Sequence, residues 1–243
     1  MNLPLVSRTF RRRTADGVER DDETGPGDLS LLADVRAFDR VSDRGVLRFT
    51  VLGGLKLPSG DSGRLAEEAA EPHHEGHAAA GHHPALAHVV GEQVASGVHG
   101  HDLALGSGSV DGIVGASLFW SWRRAFVTAS GQYAVRTEGD FDYRYANDLT
   151  WVAGPGVFAV LAHDWTVTVQ GLVSGETKGK DEIDGRTLDD TGITSLFAGP
   201  GFGLTWGTSL HAELAADLPV VRNNTAVQVV PDYRLRGAVT WRF

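Results

Sequence analysis

Residues 233–243 end the chain with Tyr-Arg-Leu-Arg-Gly-Ala-Val-Thr-Trp-Arg-Phe, a stretch in which side-chain character alternates at every position. One set of alternate positions is mostly apolar or aromatic: Tyr233, Leu235, Gly237, Val239, Trp241 and Phe243. The other set contains Arg234, Arg236 and Arg242 with Ala238 and Thr240. Because successive side chains of a strand point to opposite faces, this two-residue period predicts a β-strand. Three arginines on one face need water, so the strand should separate an aqueous from an apolar environment.

The wall of an outer-membrane β-barrel provides both environments, with lipid outside, a polar lumen inside and aromatic residues at the interfaces. The ending at Phe243, with an apolar or aromatic residue at nearly every second position before it, resembles the terminal signal strand of bacterial outer-membrane proteins. This resemblance implies contact with outer-membrane lipid and recognition of the Phe243 strand by the barrel-assembly machinery. A soluble sheet with one polar face is the alternative interpretation.

The composition favours strands and turns in a single domain. The chain of 243 residues has 31 glycines, one methionine and no cysteine, which excludes disulfides and thiolate metal sites. A formal net charge of −9 argues against nucleic acid as the main partner, since phosphate binding requires a basic surface. No apolar run has the length of a membrane-spanning helix. No nucleophile elbow, phosphate-binding loop or His-Glu-x-x-His motif occurs, so we expect no enzyme activity.

The lengths of the connections between predicted strands alternate along the chain. Alternation and turn residues predict strands at 3–13, 28–40, 45–57, 110–122, 126–136, 149–161, 165–174, 194–206, 209–220 and 233–243. Long polar connections at 14–27, 59–109, 137–148, 175–193 and 221–231 alternate with short ones at 41–44, 123–125, 162–164 and 207–208. Outer-membrane barrels have long extracellular loops and short periplasmic turns. This alternation of long and short connections predicts an all-β fold, an antiparallel transmembrane barrel of about 10–12 strands.

Two details within the predicted strands call for structural checks. In the strand at 28–40, one apolar face comprises Leu29, Leu31, Ala33, Val35 and Ala37. Pro155 and Pro200 each occupy the centre of a Gly-Pro-Gly inside a predicted strand. Since proline has no N–H to donate, we expect a local bulge at each proline. The repetition of the motif suggests a shared structural device.

The first thirteen residues have no apolar core followed by a small-residue cleavage site, so they do not resemble a secretory signal. An outer-membrane protein needs such a signal. We therefore expect residues 1–243 to be a single outer-membrane barrel domain given without its signal and its first strands. The other option is that the membrane interpretation is wrong.

Four short motifs support a more particular comparison. They are Gly53-Gly-Leu-Lys-Leu-Pro-Ser-Gly60, Gly106-Ser-Gly-Ser109 with Asp111, Thr137-Glu-Gly139 with Asp142-Tyr-Arg144, and Pro231-Asp-Tyr-Arg234 leading to Arg242-Phe243. With these motifs the chain resembles the outer-membrane transporter-like family named after the meta-pathway of phenol degradation. The resemblance implies a channel-like barrel of the bacterial outer membrane. It also suggests transport of small hydrophobic or aromatic solutes, or transport linked to a metal.

Histidines cluster in a predicted extracellular insertion at 59–107. They are His73, His74, His77, His82, His83, His88, His99 and His101, eight of the ten in the chain. Their spacing suits Zn, Cu or Ni, with Glu71, Glu75 and Asp102 as added oxygen ligands. A solvated low-complexity loop with no preferred ion is the alternative. If the metal interpretation holds, the protein is a surface metal-binding or interaction protein that uses the barrel as an anchor for this loop.

The polar faces of the predicted strands carry the candidate lumen residues. The bases are Arg48, Lys56, Arg136, Arg234, Arg236 and Arg242, and the acids are Asp34, Glu213 and Asp217, with Asp111 on the same interior. The bases either form a cation-lined path for anions or pair with the acids in a salt-bridged wall. Because unpaired buried charge is costly, we expect the wall for most of them. The solute, the direction of transport and the oligomeric state do not follow from the sequence.

Overall fold

Antiparallel strands dominate the computed structural model, which describes residues 1–14, 17–70, 100–223 and 231–242. In chain order the strands are β1 (Leu5–Thr14), β2 (Gly17–Pro26), β3 (Leu29–Ser42), β4 (Gly45–Leu57), β5 (Asp111–Trp122), β6 (Ala125–Val135), β7 (Tyr143–Arg144), β8 (Asp148–Leu161), β9 (Trp165–Lys178), β10 (Glu182–Ile183), β11 (Arg186–Thr187), β12 (Ile193–Trp206), β13 (Leu210–Arg222) and β14 (Arg234–Trp241). Two short helices, α1 (Leu65–Ala70) and α2 (Gly100–Leu103), lie between β4 and β5. Within these ranges, no helix has the length and apolar character needed to cross a bilayer.

Nine long strands form one sheet in the order β14-β13-β12-β9-β8-β6-β5-β4-β3. Each long strand pairs with the next long strand along the chain, because β7, β10 and β11 form a small sheet of their own. The predicted all-β antiparallel fold is therefore confirmed. The turns that connect β3 to β4, β5 to β6, β8 to β9 and β12 to β13 are short, and they all lie at one end of the sheet.

The start of the chain departs from the prediction. The predicted strand at 3–13 is β1, but the predicted loop at 14–27 is wrong, since most of it forms β2. These two strands form a hairpin outside the nine-stranded sheet. Its register pairs ten residues of β1 with ten of β2, from Leu5 opposite Pro26 to Thr14 opposite Gly17, and the Ser7 and Thr24 hydroxyl oxygens lie 3.0 Å apart across the pair. The acidic, Gly- and Pro-containing sequence of β2 is unfavourable for a strand by itself, so cross-strand pairing outweighs local propensity.

The nine-stranded sheet is strongly curled. A flat sheet of this size would hold its two edge strands about 38 Å apart, at roughly 4.8 Å per strand. Instead, Asp34 of β3 and Arg236 of β14 line the same cavity. Arg234 of β14 also reaches Glu176 of β9, with an Nη2 to Oε2 distance of 3.2 Å across two intervening strands. Within the described residues, β3 and β14 are not paired with each other, so the sheet is a half-barrel.

The two faces of the curled sheet differ in polarity. In β4, Phe49, Val51 and Leu55 are exposed on the convex face, whereas Thr50 lines the cavity on the concave face. The other long strands alternate in the same way. The convex face exposes large apolar side chains on every strand, among them Val35, Leu118, Tyr133, Val157, Val173, Phe202, Leu214 and Val239. A soluble protein would normally bury such a surface.

The tryptophans are concentrated at the end of the sheet where the short turns lie. Trp151 is the exception, since it lies near the start of β8. The others lie at the short-turn ends of four strands: Trp120 and Trp122 of β5, Trp165 of β9, Trp206 of β12 and Trp241 of β14. All five are exposed. Trp206 of β12 lies opposite Trp165 of β9 in the strand register. They form a band around this end of the convex face, which we call the tryptophan band.

The apolar face predicted for the strand at 28–40 is wrong beyond Val35. The register between β3 and β4 shifts between Arg36 and Phe38. As a result Phe38 lies opposite Phe49 and joins the convex face in place of Ala37. A bulge inserts one extra residue and so reverses the alternation after it.

The Gly-Pro-Gly motifs do not contain the predicted bulges. Pro200 pairs in register with Gly171 of β9, and the register between β8 and β9 is the same on both sides of Pro155. Instead, the glycine before each proline allows a neighbouring backbone to approach closely. A Cβ on Gly154 would lie 1.9 Å from the Gly171 carbonyl oxygen, and one on Gly199 would lie 1.7 Å from that of Ala216.

This close approach predicts a large difference between two glycine substitutions. Gly199→Ala should lower the free energy of unfolding by about 1–3 kcal/mol, because the strands must separate to admit the methyl group. Gly171→Ala is the matched control, since a Cβ there meets no atom within 4 Å. Urea unfolding of both variants in detergent micelles measures the difference. Equal losses at the two positions would contradict the close approach at Gly199.

The long connections pack together at the opposite end of the sheet. Their small apolar core comprises Leu65, Ala104, Tyr143, Ile183 and Leu188, with Tyr145 packed against it. We call the described parts of these connections, residues 58–70, 100–110, 136–147 and 179–192, the loop cap. The loop cap includes α1, α2 and the small sheet of β7, β10 and β11.

Candidate functional site

An ion-pair network joins the loop cap to the ends of the central strands. Lys56, at the end of β4, places its Nζ 2.7 Å from Asp28 Oδ2 and 2.8 Å from Asp111 Oδ2. Arg136 continues the chain of charges, with Nη1 3.0 Å from Asp111 Oδ2 and Nη2 2.5 Å from Asp148 Oδ2. Acids and bases thus alternate along the network, which we call the ionic latch.

The acids of the ionic latch also hold the backbone of the loop cap. Asp111 is completely buried and accepts hydrogen bonds from Ser109 Oγ at 2.9 Å and from the Thr137 N–H at 3.0 Å. Asp28 accepts from the N–H groups of Gly60 at 2.9 Å and Ser107 at 3.0 Å. The two carboxylates therefore fix the segments that leave β4 and enter β5.

Hydrogen bonding in the latch lowers the pKa of Asp28 below its ordinary value of 3.8. Burial alone would raise this pKa by desolvating the carboxylate. The Lys56 ammonium and the N–H groups of Gly60 and Ser107 outweigh that effect because they favour the charged form. A carboxyl whose pKa is lower in the folded state stabilises the fold above its unfolded pKa, and this contribution is lost as the pH falls.

Lowering the pH should therefore decrease the free energy of unfolding as Asp28 becomes protonated. We expect the wild-type chain to lose stability as the pH falls through and below 3.8. Asp28→Asn should be less stable than wild type at neutral pH, and the gap should narrow in acid. Urea unfolding midpoints between pH 6 and pH 2.5 measure both trends. A gap that is constant over this range would show that the charge of Asp28 is unimportant.

The remaining predicted lumen residues fall into separate groups. Ion pairs join Arg234 to Glu176 at 3.2 Å, Arg236 to Asp217 at 2.7 Å and Arg48 to Asp39 at 3.3 Å. Glu213 Oε1 lies 2.8 Å from His211 Nε2. Arg242 follows the last residue of β14, and its backbone N–H donates to the Ser209 carbonyl at 2.8 Å. Among the predicted lumen residues, Asp34, Arg234 and Arg236 line the cavity.

Sequence reasoning missed several of the acidic partners. Asp28 and Asp148 lie at the starts of strands. Each precedes inward-facing positions by an even number of residues, as Asp148 precedes Thr150 by two, so extending the two-residue period would have predicted both. Asp39 is harder to find, because the bulge before Phe38 brings it opposite Arg48. Glu176 also lies outside the predicted strand at 165–174, since β9 extends to Lys178.

The cavity lies inside the curl of the sheet and has a volume of about 400 Å³. Hydroxyl and amide groups form much of its wall: Thr50, Ser117, Ser130, Gln132, Thr150 and Ser174. Toward the short-turn end, Phe126 stacks on Phe119 with ring centroids 5.9 Å apart, and its ring is tilted against that of Phe158 at 5.0 Å. The concave face is thus polar at mid-height and aromatic near the short turns.

Of the predicted metal ligands, His101 is the one within the described residues. His73, His74, His77, His82, His83, His88 and His99 lie outside them. The buried Nδ1 of His101 is 3.0 Å from Glu68 Oε1. Burial lowers the pKa of His101, but the hydrogen bond with Glu68 and the charge of Asp102 raise it to a greater extent. No group of three or more metal-binding side chains occurs in the described part of the chain, so metal binding stays a prediction.

A second buried polar group stabilises the loop cap. The Tyr143 hydroxyl donates to Asp181 Oδ2 at 2.7 Å, and Lys178 Nζ donates to the same oxygen at 2.8 Å. Burial and the nearby charge of Asp181 raise the pKa of Tyr143, so the phenol stays a neutral donor. Asp181 also accepts from the Ala146 N–H at 2.7 Å. This arrangement ties the 136–147 and 179–192 parts of the cap together.

Comparison with known proteins adds no family to this picture. No family model matches the sequence, and no match is found among curated proteins. The resemblance to the phenol meta-pathway family therefore stays a prediction.

Proposed function

We propose that this protein is an outer-membrane β-barrel. The observation that carries the proposal is the exposed apolar convex face, which continues over all nine strands and surrounds a polar concave face. Lipid is the surrounding that suits both faces at once, because hydrocarbon covers the convex side while water fills the lumen. Predicted contact with outer-membrane lipid follows from the same observation.

The dimensions of the convex face agree with the thickness of a bilayer. Along β9, the apolar positions run from Trp165 in the tryptophan band to Gly175. Ten residues at about 3.3 Å each, on a strand tilted by about 40°, span roughly 25 Å. Membrane barrels have an apolar band of about this height, bordered by aromatic residues at the interfaces. The tryptophan band then marks the periplasmic interface, and the loop cap lies on the extracellular side.

Within this class, we propose a channel-like or transporter-like role for small solutes. The concave side of the curled sheet borders an open cavity of about 400 Å³ that is lined by hydroxyl groups, charged groups and apolar side chains. Most of the inward charges are paired. This pairing favours a salt-bridged wall rather than a continuous line of unpaired cations that would attract anions. The loop cap lies at the end of the sheet that this proposal places outside the cell, so solutes would pass it on the way to the cavity.

Reconstitution of the full chain tests the proposal. The purified protein should insert into planar bilayers and produce stepwise conductance, and heating in detergent should slow or shift its migration on a gel. Heat-denatured protein is the control and should give no steps. A chain that remains monomeric and soluble without detergent and never conducts would contradict the barrel.

One observation favours a second role, the display of the histidine-rich insertion as a metal-binding loop. Two residues that flank segment 71–99 are joined within the loop cap, since Glu68 Oε1 accepts a hydrogen bond from the His101 N–H at 3.0 Å. The sheet can thus serve as an anchor for that segment. Replacing 71–99 by a short Gly-Ser linker should preserve conductance and remove Zn binding by the full chain. Loss of conductance with unchanged Zn binding would contradict this division of roles.

A further inference from the structure

The charged groups that line the cavity are two carboxylates and two guanidiniums. They belong to Asp34, Glu176, Arg234 and Arg236, and their formal charges cancel. The acid Asp34 lies on one edge strand of the sheet, β3, and both arginines lie on the other, β14. The cavity therefore has one acid at one edge of the sheet and, at the other edge, two guanidiniums that are each paired with an acid, Glu176 or Asp217.

The charged groups on the two sides differ in whether they already have hydrogen-bond or ion-pair partners. Asp34 has no hydrogen-bond or ion-pair partner among the described residues. Arg234 donates to Glu176 through Nη2, and Arg236 donates to Asp217 Oδ2 through Nε and Nη2. A guanidinium has five N–H donors, so each arginine keeps donors for a further acceptor. The hydroxyl groups between the two sides also have no side-chain partner in the described residues.

From this arrangement we propose that the cavity binds a small zwitterionic solute, a free α-amino acid with a polar side chain. Its ammonium pairs with Asp34, its carboxylate accepts from Arg236 and Arg234, and its side chain meets the hydroxyl groups of Ser117, Ser130 and Thr150. The inference rests on the proposed function, since it names the solute class of the same lumen.

Other solute classes fit the charges less well. A simple anion would meet the remaining donors of the arginines but would also face Asp34, and a simple cation would pair with Asp34 but leave those donors without an acceptor. Like-charge juxtaposition of this kind disfavours the wrong partner. A sugar would satisfy the hydroxyl groups and leave the charged side chains to be desolvated without a partner, which is costly.

Three solutes that differ by one group test the proposal on the full chain in detergent micelles. Serine has both charges, glycerate replaces its ammonium by a hydroxyl, and ethanolamine lacks its carboxylate. Calorimetry should show serine binding at least tenfold more tightly than glycerate, ethanolamine or glucose. Equal binding of all four, or preferential binding of glucose, would overturn the proposal.

Substitution of Asp34 gives the matched variant. Asp34→Asn keeps the shape of the side chain and should weaken serine binding about tenfold, whereas glycerate binding should become tighter because the like charge that faces the anion is removed. Asp39→Asn is the control, since Asp39 lies on the same strand but does not line the cavity. If Asp34→Asn and Asp39→Asn bind serine as wild type does, the site is overturned. Conductance recorded on the same preparations separates the two ideas: conductance without serine preference refutes the site alone, and serine binding without insertion refutes the barrel alone.

Discussion

Leu118→Arg should lower the free energy of unfolding in a bilayer by about 2–4 kcal/mol, whereas Ser117→Arg should change it by less than about 1 kcal/mol. The two residues are neighbours in β5. Leu118 lies on the convex face, two residues from Trp120 and four from Trp122 of the tryptophan band, and Ser117 lines the cavity. In the proposed barrel, a guanidinium at position 118 would enter hydrocarbon, while one at position 117 would enter water.

The exposure of Leu118 makes this comparison decisive. Its side chain is 38% exposed, so in a water-facing sheet Leu118→Arg would be a surface substitution, with an effect within about ±0.5 kcal/mol. Urea titration of both variants after folding into lipid vesicles measures the difference. Similar small effects at the two positions would refute lipid contact at the convex face.

Asp111→Asn should lower the free energy of unfolding by about 3–5 kcal/mol, because it removes the carboxylate that buried Lys56 and partly buried Arg136 share. Asp111 is completely buried and lies between Lys56 and Arg136. The asparagine keeps the size of the side chain, so the loss measures the charge and its hydrogen bonds rather than a cavity. Denaturant unfolding of the full chain measures the effect.

Asp39→Asn provides the control for Asp111→Asn. Asp39 also pairs with two arginines, but those arginines are about half exposed. Exposed ion pairs contribute about 0–1 kcal/mol, so this variant should be close to wild type. Since Lys56 and Asp111 are in contact, the loss in the double variant Asp111→Asn, Lys56→Met should be smaller than the sum of the single losses. An additive double variant would mean that the latch does not act as a unit.

The strands of the sheet were largely predictable because their signal is local. Alternation within a single strand predicts 45–57, and β4 has those bounds. The bulge after Arg36 and the strand β2 were not predictable in this way. The bulge depends on how β3 pairs with β4, and β2 depends on cross-strand partners in β1. Neither has a signal in the segment itself.

The candidate site was predictable only in part, for a related reason. Alternation placed Arg234 and Arg236 on the inward face, but their partners depend on the curl of the sheet. The pair between Arg234 and Glu176 joins residues 58 positions apart. Asp34 of β3 and the two arginines of β14 likewise line one cavity only because the sheet curls. Tertiary geometry, rather than residue type, decides which charges meet.

The contact between Glu68 and His101 has an evolutionary consequence. Glu68 and His101 flank segment 71–99, so their hydrogen bond closes the loop that contains this segment. The entropic cost of closing a loop grows only with the logarithm of its length. Doubling the number of residues would add only about 0.6 kcal/mol. Insertions, deletions and changes of composition between Ala70 and Gly100 are thus nearly neutral for the sheet. Related chains should differ most in length at this point, and selection can act on the segment independently of the sheet that carries it.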